Sequence, residues 1–249
     1  MKIAFINHKG GIGKTTLAVN TAFRSLELKR KLLLLDFDEQ KNSMQLFSGY
    51  CWSNEPMYNE DDYIWLVNGN VGRINCNWSE FDNILFDCPP SYLSADSFMN
   101  FLQNHNLSVD LWVVPVESRT SISGATTVTS KIRQYYPNSR ILIVLNRCAS
   151  GEITQADRME IARFPNIELS KIIIPASKTG LHKFEQSGGK SVWHYYPRVQ
   201  TSTRMRDFCD ALLKGMPYNT VIKNETNVVK DTVREQFITH NIRSSYGKW

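Results

Sequence analysis

Three short groups of residues could do chemistry together, and each follows an apolar run. The first is Lys9-Gly10-Gly11-Ile12-Gly13-Lys14-Thr15-Thr16. Glycines at 10, 11 and 13 let the backbone approach an anion with no Cβ in the way. Their N–H groups and the positive end of a helix opening at Lys14 would face phosphate oxygens. Lys14 is placed to reach β- and γ-phosphates, and the Thr15 hydroxyl to ligate Mg²⁺. The second group is the carboxylate pair Asp36 and Asp38, after the apolar run 32–35. The third is Asp87, which ends the run 83–87 and is followed by Cys88-Pro89-Pro90-Ser91. An acidic pair after a strand is by itself a turn signal. Beside a phosphate loop that pair reads as functional, and Asp87 reads as a Mg²⁺ ligand, since hard oxygen ligands suit that ion.

Positioning these groups requires strands that end where they begin. Residues 2–6, 32–35, 83–87, 109–116 and 141–145 are apolar runs of strand length, the fourth expected to be broken at Pro115. Residues 171–174 read as a further strand ending in Pro175. Helical spacing is expected over 14–28, 95–104, 121–136 and about 154–163, alternating with those strands. Such alternation predicts an α/β fold, a doubly wound and mostly parallel sheet with helices on both faces. Ligands of such sheets sit beyond the strand C-termini, where each polar group falls. Residues 49–82, rich in Asn, Trp and Tyr, read as a surface excursion with one short helix or strand pair. Gly188-Gly189-Lys190-Ser191 looks like a second phosphate loop but has no strand before it, so it reads as a turn.

Composition bounds the class. The chain has 249 residues, 42% hydrophobic and 21% charged, ordinary for a globular protein able to bury a core. No apolar run approaches the roughly 20 residues that span a bilayer. The start runs directly into the phosphate loop and leaves no room for a signal peptide. Cys51, Cys76, Cys88, Cys148 and Cys209 are scattered without CxxC spacing, which fits reduced thiols in a cytoplasmic protein. Residues 1–100 hold nine basic and twelve acidic side chains, residues 101–249 twenty and twelve. The basic C-terminal portion suits a polyanion, nucleic acid or anionic lipid.

The strict GxxxxGK[ST] pattern fails at its first glycine, which is His8, and carries instead the extra lysine Lys9. This loop, with Asp36-Phe37-Asp38-Glu39-Gln40 and Asp87-Cys88-Pro89-Pro90-Ser91, resembles the deviant Walker A, DxDPQ and DxPPS boxes of the ParA/MinD family of P-loop ATPases. The likeness covers residues 1 to about 214, with Glu39 where the family usually has proline. It implies binding of ATP and Mg²⁺ by residues 9–16, including Ile12 and Thr16, and a nucleotide-sandwich homodimer in which Lys9 crosses to the partner's phosphates. It implies further that Lys9 and Lys14 stabilise the transferring phosphoryl, that Asp38 positions the attacking water, and that Thr15, Asp36 and Asp87 serve the metal. Asn146 and Pro175, in 145–147 and 172–177, resemble the family's adenine-recognition ends.

Within the family the chain resembles small, Soj-like ParA-type partition ATPases without an N-terminal helix-turn-helix domain. That implies a cytoplasmic, nucleoid-associated ATPase whose dimer coats double-stranded DNA nonspecifically and whose hydrolysis is stimulated by a ParB-like adaptor. The DNA face would draw on the basic stretch that includes Lys178, Lys183, Lys190, Arg198, Arg204 and Arg206. The alternative is a MinD-like positioning ATPase docked on membrane by a terminal amphipathic helix. The P-loop domain is expected to span 1–216, with 217–249 a C-terminal, helical extension. There Val229, Val233 and Phe237 recur every fourth residue, but Asp231 and Glu235 interrupt the cations. A membrane-surface helix should be Lys/Arg-rich on its polar face, so this one is expected to dock on protein and membrane binding is not expected.

Overall fold

The computed structural model describes residues 1–38, 40, 42–48, 57–58, 64–69, 74, 76–90, 97–117, 119–148, 166–177 and 181–215. One compact unit spans Met1–Tyr218. The expected helix near 154–163, Glu39, Ser91, Lys178 and the extension with Val229, Val233 and Phe237 lie outside the described residues.

Strands β1 (Lys2–Phe5), β2 (Leu32–Asp36), β3 (Met57–Tyr58), β4 (Ile64–Asn68), β5 (Asn83–Asp87), β6 (Leu111–Val116), β7 (Ile141–Leu145) and β8 (Ile167–Leu169) form one sheet, ordered β3-β4-β2-β5-β1-β6-β7-β8. Every pairing is parallel except the edge pair β3–β4. The helices are α1 (Lys14–Glu27), α2 (Asn42–Ser48), α3 (Ser97–Asn104), α4 (Arg119–Tyr135), α5 (His182–Ser187), α6 (Val192–Tyr195) and α7 (Gln200–Lys214). Residues of β2, β5, β6 and β7 are buried along their whole length. This is why these strands read as unbroken apolar runs.

The period-2 alternation of a strand divides that apolar content between two cores. Ile3, Phe5, Leu32, Leu34 and Val113 face one way, onto Leu17, Ala18 and Ala22 of α1 and Phe208 and Leu212 of α7. Ala4, Ile6, Leu33, Leu35 and Trp112 face the other way, onto Phe98 and Leu102 of α3 and Val128 and Ile132 of α4. Gly215, left-handed at φ 60°, closes α7, where the backbone needs no Cβ.

Three expectations differ from the structure. Pro115 lies inside β6 and does not break it: Trp112 N and Val116 O bond on the β7 side, and Val113 O bonds to Ile6 N of the β1 segment. Alternation therefore turns Pro115 toward β1, past the last pair of that ladder, Phe5↔Val113. The missing N–H interrupts no pairing there, and the Pro115 carbonyl accepts from Asn7 Nδ2 at 2.8 Å.

The segment 49–82 is not merely a surface excursion, because β4 is a strand inside the sheet between β2 and β3. Leu66 packs in one core and Val67 in the other. The strand expected over 171–174 is displaced to β8. The Ser170 hydroxyl then bonds both the N–H and the carbonyl of Ile172, a local turn that competes with the ladder. The chain rejoins the sheet only at the bridge Asn146↔Ile174.

Candidate nucleotide site

β1 ends at Phe5, and the chain turns through Asn7 to Gly13 into α1 at the centre of the sheet. Gly13 caps α1 with a left-handed φ of 88°. No side chain caps α1, and no acidic residue stands in its first turn. The N–H groups of that turn are thus the kind of unsatisfied donors that a phosphate takes. Glycine at 13 is required twice over, since a Cβ there would also collide with the Asn146 amide.

Several loop carbonyls are tied back by side chains. Lys9 O accepts from Lys14 Nζ at 3.2 Å, Gly11 O from Arg147 Nη1 at 2.9 Å and Ile12 O from Asn146 Nδ2 at 2.7 Å. Asn7 Oδ1 takes the Lys9 N–H at 3.1 Å. Ile12 is buried in the core, which anchors the turn. Lys9 itself reaches outward, half-exposed, and pairs with Glu117 Oε2 at 2.9 Å.

Beneath the loop the strand ends bring the carboxylates together. Asp36 and Asp87 are register partners across β2 and β5. Asp36 is wholly buried, and both its oxygens are engaged by backbone: Oδ1 by Asp38 N, Oδ2 by Ser43 N and Met44 N at the start of α2. It therefore works as a cap, a role that metal-ligand reasoning overlooked.

Asp87 is equally buried but neither oxygen accepts a hydrogen bond. The Thr15 hydroxyl is close enough to favour its charged form, short of hydrogen-bond geometry. Burial, then the nearby Asp36 charge, push the Asp87 carboxyl well above the usual carboxylate range. Burial pushes Asp36 upward too. Lys14 is driven the other way by burial, with Asp87 opposing the shift. Asp38 is only partly buried, stands at the cleft and accepts Gln40 N at 3.0 Å.

An orphaned buried carboxylate beside a buried lysine and a threonine hydroxyl fits a divalent cation shared with phosphates. Among the described residues no three His, Cys, Asp or Glu side chains group to hold a metal by themselves. Magnesium bound with phosphates needs only one or two carboxylates.

The open cleft over the loop has a volume of about 690 Å³ and is lined by Gly10, Gly13, Thr15 and Asp38 among others. A second cavity of about 250 Å³ is lined by Asn146, Pro175, Thr201 and Met205 among others. Thr16, Arg147 and Glu185 line both. Asn146 and Pro175 are thus brought together, with Pro175 O held by Thr201 Oγ1 at 3.1 Å. The two cavities therefore lie side by side.

The basic stretch is not gathered in this way. Lys183, Lys190, Arg198 and Arg206 are exposed and Arg204 is half-buried. Arg206 stands 3.9 Å from Glu27, and Arg204 near Asp207. Gly188 and Gly189, at φ 55° and 72°, form the turn after α5, with no strand before it. Sequence reasoning passed over Glu117, Arg147 and Glu185. The signal available for Glu117 and Arg147 was their place just past the C-termini of β6 and β7.

Comparison with known proteins matches residues 1–60 to a family described as "AAA domain". The chromosome-partitioning ATPase Soj of Thermus thermophilus is 48% identical over 42 residues, a match spanning 17% of this chain and 17% of that protein. Among solved structures, the MinC:MinD cell division complex of Aquifex aeolicus superposes with a TM-score of 0.63 at 18% identity, covering 86% of this chain and 95% of that one. A putative plasmid partition protein of Borrelia burgdorferi B31, bound to AMPPNP, superposes at 0.58 and 16% identity, covering 86% and 99%. The structural likeness is one of fold. The family match over residues 1–60 takes in the lysine-bearing loop at the sheet's centre.

Proposed function

We propose that the chain is a Mg²⁺-dependent ParA-type ATPase that closes as an ATP-sandwich homodimer. In this reading the dimer binds double-stranded DNA nonspecifically and drives the partition or positioning of DNA or another cargo. A ParB-like adaptor would stimulate hydrolysis. The observation that carries the reading is the buried Asp87 with both oxygens unpaired, beside Lys14 and beneath a glycine loop whose extra Lys9 points outward. Such an arrangement is costly unless a bound group compensates it. The Soj-like segment supports partition.

The residues divide the work. The N–H groups at the head of α1 and the Lys14 ammonium hold the phosphates. Thr15 and Asp87 would hold Mg²⁺, which when bound neutralises charge on the β- and γ-oxygens. Asp38, partly buried at the cleft, orients water in line with the γ-phosphate, and stabilisation is mostly electrostatic. Asn146 and Pro175 receive the base. Lys9 is free to leave Glu117, because a solvent-exposed ion pair holds it only weakly.

The test is light scattering and DNA mobility of the full chain with ATP, ADP or no nucleotide. Dimers and sequence-blind, salt-sensitive DNA binding with ATP alone are expected. ATP-dependent sedimentation with anionic vesicles, lost on removing 218–249, would favour the MinD-like reading instead.

A further inference from the structure

Arg147 lies two residues past the end of β7 and combines several features that the nucleotide reading does not use. Its backbone is left-handed at φ 59°, a conformation that a non-glycine residue keeps only when its surroundings hold it there. Its Nη1 donates to Gly11 O at 2.9 Å. The same nitrogen lies 3.8 Å from Glu117 Oε1, and the other Glu117 oxygen holds Lys9 at 2.9 Å. Arg147 also lines both cavities.

We propose that Arg147 is a positioning residue of the phosphate loop, aimed by Glu117. A peptide carbonyl and the following N–H are parts of one rigid plane. Drawing the Gly11 carbonyl toward the guanidinium therefore turns the Ile12 N–H the opposite way. Asn146 does the same to the next peptide by taking the Ile12 carbonyl at 2.7 Å, which orients the Gly13 N–H. Two successive peptides are set by two successive side chains, from the end of one strand. A loop with Gly11 and Gly13 at positive φ has many alternatives, and fixing it before binding lowers the ordering cost that ligand would otherwise bear. Glu117 supplies the counter-charge that holds the guanidinium at the carbonyl, and it tethers Lys9 with its second oxygen.

This inference rests on the reading of the cleft as a nucleotide site, and its test separates the two. Equilibrium binding of ATP and ADP to the full chain would be compared for wild type, Arg147→Ala, Arg147→Gly, Arg147→Lys and Glu117→Gln. Hydrogen exchange of amides 9–13 and the melting temperature would be recorded on the same samples. Removing the guanidinium should weaken ATP and ADP about tenfold, the size of a charge-assisted hydrogen bond moderated by exposure. Exchange of the loop amides should rise while the melting temperature stays close to wild type.

Arg147→Gly relieves the left-handed backbone while losing the side chain, so it should bind as weakly as Arg147→Ala even if the alanine variant folds poorly. Arg147→Lys should recover part of the affinity, and Glu117→Gln should lose less than Arg147→Ala. Wild-type affinity and loop exchange in Arg147→Gly would overturn the assignment. A wild-type chain that binds neither nucleotide would overturn the nucleotide reading itself.

Discussion

The cations of the phosphate loop and those of the segment from Lys183 to Arg206 are built in opposite ways. Lys14 is buried, bonded to a loop carbonyl and faced by Asp87. The loop around it is fixed by Asn7, Asn146 and Arg147. Lys183, Lys190, Arg198 and Arg206 are exposed, and Arg206 stands at long range from Glu27. A site that must meet one phosphate geometry needs its groups fixed beforehand. A surface that meets a uniform line of phosphates needs only charge, and its binding falls steeply with salt. The contrast implies that substitutions inside the cleft act singly and strongly, whereas those on the basic face act weakly and add.

Lys14→Ala should produce the largest effect, a loss of ATP affinity of about a thousandfold, since it removes the buried phosphate cation. Isothermal calorimetry reads it, and near-normal affinity would erase the distinction between the two regions. Asp38→Ala should leave ATP bound but slow phosphate release by about a hundredfold, the scale of a lost water-orienting group. The variant should accumulate as a dimer, whereas ordinary turnover would remove Asp38 from that role. Lys9→Ala is expected to bind ATP within about threefold of wild type, as loss of an exposed ion pair alone would suggest. It should nonetheless fail to dimerise with ATP in light scattering.

A sign reversal sharpens the comparison further. Asp87→Asn removes a buried carboxylate without hydrogen bonds and should stabilise the nucleotide-free chain by about 1–3 kcal/mol in denaturant melts. The same change should weaken Mg²⁺-dependent ATP binding. The smallest effect is expected for Arg204→Ala with Arg206→Ala, which should lower the salt slope of DNA binding by about two without touching ATP affinity. A collapse of DNA binding from these two changes alone would show a built site where the structure shows an open face.

What was legible in advance follows the same division. That the loop 9–16, Asp38 and Asp87 would lie together was readable, because each follows an apolar run and parallel strands end on one side of their sheet. The strands buried on both faces were readable from their apolar runs, with β5 found at its bounds, 83–87. A short strand pair was allowed for in 49–82, but the place of β4 inside the sheet was hidden because its neighbourhood is polar and its own run short. Pro115 misled because its cost depends on which neighbour its missing N–H faces, which no single strand reveals. Arg147 and Glu117 were hidden for a related reason. An arginine that serves a carbonyl 136 residues away leaves no spacing to recognise. Asp36 was noticed for its charge, but its three backbone donors were not visible, and they make it a cap.

That cap joins parts that would otherwise move separately. One oxygen of Asp36 holds the N–H of Asp38 and the other holds the first turn of α2. The partly buried carboxylate and the short helix therefore share a single buried anchor at the end of β2. A displacement of α2 reaches Asp38 through the three hydrogen bonds to this one buried carboxylate, at the last residue of β2. The stiffness of that linkage sets how far Asp38 can swing while Leu32 to Leu35 stay in register.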